Sequence, residues 1–418
     1  MRRLDAQRTW LLYRGIEAFA FSLGWTVAAV FFVTELGMSP LELVLTGTAL
    51  EVAYFLFEVP TGIVADTYSR RASVVVGALI LGLGFVATGL ASGVLVVLVA
   101  AAVMGFGWTF KSGAEDAWLA DELGTENVAS PYQRGAQVAR AGALLGIGAA
   151  IGLALVDLRL PIVVGGLVLV GLGVLLALVM PETGFRPATR EQVGAVRSMA
   201  QTGVQGGRLI RARPMLLLIV GIAFFGGMWS EAFDRLWEAH FLVDIGVPGL
   251  GDLEPVVWFG VLNAGVLLLA IFVAQPLRRR FERLSRVGMT RMLLAFDALT
   301  IVGTLAFAFA GAFAVAVAAY WSTRVLRSLV GPIYATWLNT SIDDSSVRAT
   351  VISMTNLGDS AGEWGGGPAL GVVGNVFGIR AALAAGAAAL APALVLYGRA
   401  LRHQGLEPEL AAEPAAAR

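Results

Sequence analysis

Apolar runs of about the twenty residues that carry a helix across a bilayer follow one another along almost the whole chain, with little sequence between them. They span roughly 9–35, 41–65, 73–91, 94–120, 132–156 and 161–180, and then 214–243, 255–274, 289–310, 313–339, 349–376 and 379–401. Inside a bilayer there is no water to bond exposed backbone, so such runs fold as helices that satisfy their own polar groups. The expectation is an all-α membrane protein with twelve transmembrane helices as two six-helix bundles. Residues 1–180 form the first bundle, 181–213 a polar linker, 214–402 the second bundle and 403–418 a flexible tail. The first run holds Arg14 and Glu17 and is too long for the apolar core of a cleaved signal peptide.

Composition agrees with the pattern. At 57% hydrophobic and 14% charged residues over 418 positions, the chain has too little polar surface to coat a soluble globule. Net charge is zero, and the arginines concentrate in connections and termini, so no basic surface argues for nucleic acid. There are no cysteines, and the two histidines, His240 and His403, are far apart. Disulfides and thiolate or histidine metal centres are therefore not expected. The single lysine, Lys111, lies outside any phosphate-binding loop. With no nucleophile–base pair either, the chain reads as neither an ATP-driven pump nor an enzyme, and no cofactor or metal is expected.

Arginine placement sets the topology. If alternate connections share a side, one side holds Arg70, Arg71, Arg134, Arg278, Arg279, Arg280 and Arg348 among others, and the opposite side only Arg159 and Arg380. The arginine-rich side is cytoplasmic by the positive-inside rule, which puts both termini inside. The two halves also look related. Ala117-Trp118-Leu119 closes the fourth run and Thr336-Trp337-Leu338 the tenth, each followed by an acidic turn, an arginine and a glycine-rich run. Transporters built from repeats hold their substrate between them, although apolar helices also resemble one another by chance.

Charges inside the spans are the sharper signal, because they face a bundle interior or a water-filled cavity. They are Arg14, Glu17, Glu51, Glu58, Lys111, Glu115, Asp116 and Arg140 in the first half. In the second they are Glu231, Asp234, Arg235, Glu238, Arg324, Arg327, Asp359 and Glu363. The third, sixth and twelfth runs have none, and the ninth only Asp297, read as near its arginine-rich end, so every third helix is expected to support its bundle from outside. Lys111 with Glu115 and Glu231 with Arg235 are four apart and meet on one helical face. Asp359 and Glu363, also four apart, look to Arg324 and Arg327 for a cation. Ten acids face six bases in this set, so some acids are expected to carry protons. Two readings stand: static ion pairs that lock the helices, or proton coupling through Glu17, Glu58, Lys111, Glu115, Asp116, Glu231, Asp234 and Arg235.

Aromatic faces bind bulky amphipathic molecules with loose geometric demands. Trp25, Tyr54, Trp108, Trp118, Phe233, Trp237 and Tyr334 are the candidates to line a cavity with Arg324, Asp359 and Glu363, though Trp and Tyr also serve as interfacial anchors. Small-x-x-x-small glycines allow close helix approach. They recur in the fifth run (Gly142, Gly146, Gly148, Gly152) and the eleventh (Gly358, Gly362, Gly365), where they are expected to supply moving surfaces.

Between the second and third runs stands G-x-x-x-D-x-x-S-R-R, within the stretch E-V-P-T-G-I-V-A-D-T-Y-S-R-R-A-S at 58–73. It resembles the signature G-x-L-A-D-R-x-G-R-K of the major facilitator superfamily. Gly62, Ala65, Asp66, Arg70 and Arg71 match; Val64, Thr67 and Ser69 depart. With S-G-A-E-x-A-W-L-A-D-E at 112–122 and E-A-F-D-R-L-W at 231–237, the chain is similar to the bacterial drug-efflux branch of macrolide and tetracycline exporters. The resemblance implies a monomer in the bacterial inner membrane that exports a small-molecule substrate by alternating access, with the proton as coupling ion. It also implies that Gly62, Asp66, Arg70 and Arg71 form a gating motif in which Asp66 meets the N-terminus of the eleventh helix, near Arg348, across the two halves. Two departures stand out: the fourth-helix arginine of many drug antiporters is missing, with Lys111 the nearest cation, and the fifth run lacks the antiporter proline. The alternative is an importer or symporter of a small polar metabolite; a channel fits the charged, two-halved pattern less well.

Overall fold

The computed structural model of the chain describes residues 4–188, 214–248, 255–281, 284–342 and 348–416, and all regular elements among them are helical. They are α1 (Ala6–Thr34), α2 (Pro40–Thr67), α3 (Arg70–Gly89), α4 (Val94–Lys111), α5 (Ala114–Leu123), α6 (Ala129–Ala154) and α7 (Arg159–Val179). Then follow α8 (Pro214–Ala239) with a π-helical turn (His240–Ile245), α9 (Pro255–Phe281), α10 (Arg286–Ala308), α11 (Phe313–Thr340), α12 (Arg348–Phe377) and α13 (Ile379–Ala416). With α4 and α5 taken together, ten helices are long and apolar enough to cross a membrane. The other two, α11 and α12, are 28 and 30 residues long and carry Arg324 and Arg327, and Asp359 and Glu363, in their interiors.

Local chemistry sets the ends. Ser39 and Glu42 form a reciprocal capping box at α2, with Pro40 opening the helix. Ser69 caps α3 by accepting the Ala72 amide at 2.9 Å. Three sequence expectations change here. The fourth run is two helices, broken where Ser112 turns extended and Gly113 takes φ +69°, a left-handed conformation that suits a residue without Cβ. Asp66 lies inside the last turn of α2 and Arg70 opens α3, and only Tyr68 and Ser69 separate the two helices. Asp297 sits mid-way along α10 rather than near its end, and faces Tyr397 of α13.

The chain divides into two compact units, with the boundary in α9 after Ala264: Met1–Ala200 with Val247–Ala264, and Gln201–Gly246 with Gly265–Arg418. In the first, α1 packs on α6 and α7, α3 on α7 and α4, and α2 on α4. In the second, α8 packs on α12 and α13, and α10 on α13 and α11. Four helix pairings thus recur in the same order, as two copies of one plan require. Glycines set the closest of them. A Cβ at Gly142 or Gly146 would strike the carbonyl of Gly15 or Phe19 on α1, and one at Gly362 would strike that of Phe224 on α8. Gly148, Gly152 and Gly365 have open space instead. The tight glycine surfaces therefore join helices inside each unit, where sequence reading had expected moving faces.

Candidate functional site: buried charge clusters

The break between α4 and α5 brings Lys111 and Glu115 to a point on α1. There Tyr13, Arg14 and Glu17 follow one another on one face by the i, i+3, i+4 spacing of a helix. Lys111 Nζ lies 2.5 Å from Glu17 Oε1 and 3.3 Å from Glu115 Oε2. Arg14 Nη1 lies 3.0 Å from Glu17 Oε2 and 3.4 Å from Glu115 Oε1. The Tyr13 hydroxyl contacts both carboxylates, Glu17 at 3.0 Å and Glu115 more closely. Glu17 and Lys111 are 5% and 4% exposed. Two carboxylates and two cations thus balance in a cage whose Glu17–Lys111 centre is nearly closed to solvent, with Arg14 and Glu115 at its partly exposed edge. Trp108 lies under Lys111, with Nζ 4.4 Å from the ring centroid, a cation–π contact.

The sequence paired Lys111 with Glu115 and left Tyr13 out; its spacing to Glu17 was the available signal. Asp116 is exposed and makes none of these bonds. Glu58 stands apart on α2: Oε1 accepts from Ser112 Oγ at 3.2 Å, Ser112 Oγ is 3.1 Å from the Tyr54 hydroxyl, and Oε2 is buried with no hydrogen-bond partner. Trp25 sits edge-on to Phe85 with centroids 5.4 Å apart.

A second knot closes one end of this unit. Arg70 donates to the Ala117 carbonyl at 2.9 Å, pairs closely with Asp121 and reaches Asp66 at 3.4 Å. Arg71 donates to the Ala177 carbonyl. The segment from Pro181 to Ala188 is tied across this end. Trp118 Nε1 donates to the Pro181 carbonyl at 2.7 Å, Glu182 accepts from Ser69 Oγ and the Arg71 amide, and the Ala188 amide donates to the Asp66 carbonyl at 2.8 Å. Trp118, 2% exposed, is anchored in the packed interior by this bond. Gly62 has open space around its missing Cβ. The side chain of Arg348 and residues 189–213 of the linker lie outside what the structure describes.

In the second unit Asp234 is gripped by two arginines of α11, Arg324 at 2.7 Å on one oxygen and Arg327 at 2.5 Å on the other. Those arginines had been assigned to Asp359 and Glu363. The two arginines stand three apart on one helix face, so a single carboxylate meets both, and Arg327 also lies close enough to Asp359 to act on its charge. Glu363 meets Ser230 Oγ at 3.4 Å, and Asp359 is exposed. Arg235 and Glu231 pair at 3.2 Å, as their spacing predicted. Phe233 and Trp237, read as cavity-lining, are 1% and 4% exposed. They belong to an aromatic core in which Trp237 stacks on Tyr320 at 4.3 Å and Phe233 on Trp229 at 5.4 Å. Tyr334 is half-buried, and its hydroxyl has no hydrogen-bond partner. Among the described residues no group of three or more His, Cys, Asp or Glu is placed to hold a metal.

Comparisons with known proteins bear on what these clusters serve. A family model described as Major Facilitator Superfamily matches residues 12–363. No curated protein sequence matches significantly. Among solved structures, the nucleoside transporter NupG superposes with a TM-score of 0.78 at 11% identity, over 95% of this chain and 100% of that one. A bacterial homologue of the human lysosomal transporter Spinster, inward-facing and occupied, gives 0.71 at 14%, over 95% and 96%. The peptide transporter POT gives 0.72 at 15%, over 95% and 94%. At such identities the likeness is one of fold.

Proposed function

Because the chain belongs to the Major Facilitator Superfamily of transporters, we propose that this multi-pass membrane protein exports drugs or amphipathic natural products in exchange for protons by alternating access. It is a transporter rather than an enzyme, set in a bilayer and acting on a small molecule. The observation that carries proton exchange is the cage of Glu17, Glu115, Arg14, Lys111 and Tyr13. When a proton neutralises one carboxylate, the cations it held turn to the other, and the link between α1 and the α4–α5 break changes partners. A proton is thereby converted into a shift of helix contacts. Asp234 with Arg324 and Arg327, and Glu231 with Arg235, are the matching switch in the second unit; Glu58, Asp116, Asp359 and Glu363 are further proton or substrate contacts.

In this reading Trp25, Tyr54, Trp108 and Tyr334 offer the aromatic faces that amphipathic substrates need. Asp66 is a latch that meets the α12 N-terminus, near Arg348, when one side is shut, since a carboxylate is stabilised at the positive end of a helix dipole. Both termini face the cytoplasm of a bacterial cell, and the monomer is the working unit. The test is growth of a susceptible bacterium expressing the protein on a drug panel, with and without a protonophore. Resistance that a protonophore abolishes supports the reading; resistance indifferent to it removes proton coupling. An importer or symporter of a small polar metabolite is the second reading, favoured by likeness to a nucleoside and a peptide transporter. Uptake rather than extrusion in oriented vesicles would select it.

A further inference from the structure

Each unit carries one arginine of the arginine-poor side at the start of its last helix, Arg159 in α7 and Arg380 in α13. In the first unit Arg159 Nε donates to Glu35 at the end of α1 at 3.0 Å, Nη1 donates to the Ala91 carbonyl beyond α3 at 3.1 Å, and the Phe31 ring lies 5.0 Å away. A permanent cation, bonded at once to a carboxylate and a carbonyl, clasps α1, α3 and α7. The corresponding helices of the second unit, α8, α10 and α13, are clasped in two steps. Arg380 Nη2 donates to the Asp244 carbonyl in the π turn at 3.1 Å. The bridge to α10 is made by His240, whose Nδ1 is 2.7 Å from Asp244 Oδ2 and whose Nε2 is 3.1 Å from the Phe307 carbonyl.

The His240 ring is 0% exposed. A carbonyl and an ionised carboxylate only accept hydrogen bonds, and a neutral imidazole has a single N–H. One ring nitrogen therefore faces an acceptor with nothing to donate unless a further proton is present, on the ring or on Asp244. We infer that His240 and Asp244 form a proton-binding site whose occupancy completes the clasp between α8, α10 and α13. Uptake of one proton from water lets both contacts be hydrogen bonds; its loss leaves one. In the clasp of the first unit Arg159 supplies every hydrogen, so no added proton is needed to complete it. The charged groups facing the ring are Asp244 from its own turn and Arg380 from α13. From α10 come the Phe307 carbonyl and the edge of its ring, 4.8 Å away, while Tyr320 of α11 packs on Phe241.

The test uses the full chain in liposomes. His403→Gln leaves His240 as the only histidine, so ring nitrogen-15 spectra report on it alone between about pH 5 and 8. The expected result is a second ring N–H, or a proton shared with Asp244, as pH falls. Over the same range hydrogen–deuterium exchange at 239–245, corrected for the intrinsic rate, should slow by roughly three- to tenfold, the effect of one hydrogen bond. Asp244→Asn can donate an amide N–H to Nδ1 at every pH and should keep the protection while removing its pH dependence. A ring that stays neutral as the Nδ1–H tautomer throughout, or an unchanged pH step in Asp244→Asn, would overturn the inference. If that variant does not fold, His240→Gln decides: a flat exchange profile supports the site, and a persisting step overturns it.

Discussion

Lys111 stands between two carboxylates that are themselves held by Arg14 and Tyr13, so its replacement tests whether the cage acts as a unit. Breaking one partner out of a buried ion network typically costs about 3–5 kcal/mol, because the remaining charge stays buried. Lys111→Met should therefore melt at markedly lower temperature in detergent, whereas Lys111→Met with Glu17→Gln, which restores neutrality, should recover much of the loss. Additive losses in the double variant would show that the groups do not share one network. Only part of this was readable beforehand. Lys111 with Glu115 and Glu231 with Arg235 follow from spacing along one chain segment, but Glu17–Lys111 and Asp234–Arg324 join different helices, and nothing local encodes them. Asp234 as the direct partner of Arg324 and Arg327 escapes sequence reading for that reason. Asp66 is a second residue-scale test: Asp66→Asn should insert normally, seen as unchanged membrane yield, and transport poorly, and full transport would leave the motif a topology marker.

Elements were read well where one period governs them and poorly where a pair of residues breaks it. Helix number, order and approximate ends followed from apolar runs and caps such as Ser39 and Ser69. The α4–α5 break did not, since glycine is frequent in membrane helices and only the φ of Gly113 shows that it is needed. That break aims Lys111 and Glu115 at α1. Gly113→Ala forces a Cβ into left-handed backbone at a cost of about 1–2 kcal/mol, and should lower thermal stability modestly while impairing transport more than its size suggests. Gly142→Val and Gly362→Val act differently, since each drives a side chain into a carbonyl of the facing helix. Both should fall in thermal stability by about 1–3 kcal/mol, the usual cost of overpacking. Gly148→Val, with open space around it, should not, and equal losses at all three would contradict the packing assigned to these glycines.

At the scale of the molecule, the repeat is now carried by recurring helix pairings and by the buried pair Trp118 and Trp337, 2% and 0% exposed, which the sequence had aligned as counterparts. Transmembrane orientation rests on arginine bias, and a chain without cysteine makes it easy to check. Ser198→Cys should react with a membrane-impermeant maleimide only after cells are opened, and Asp157→Cys in intact cells; the reverse pattern would invert the topology. Coupling is the property that needs the whole protein. The decisive measurement takes the first compound to which expression confers resistance and follows its accumulation in inside-out vesicles with an imposed proton gradient, for the unaltered chain and for Glu115→Gln. Gradient-driven accumulation should be lost in Glu115→Gln while exchange of labelled for unlabelled compound persists. Accumulation equal to that of the unaltered chain would contradict a cage that couples protons to export.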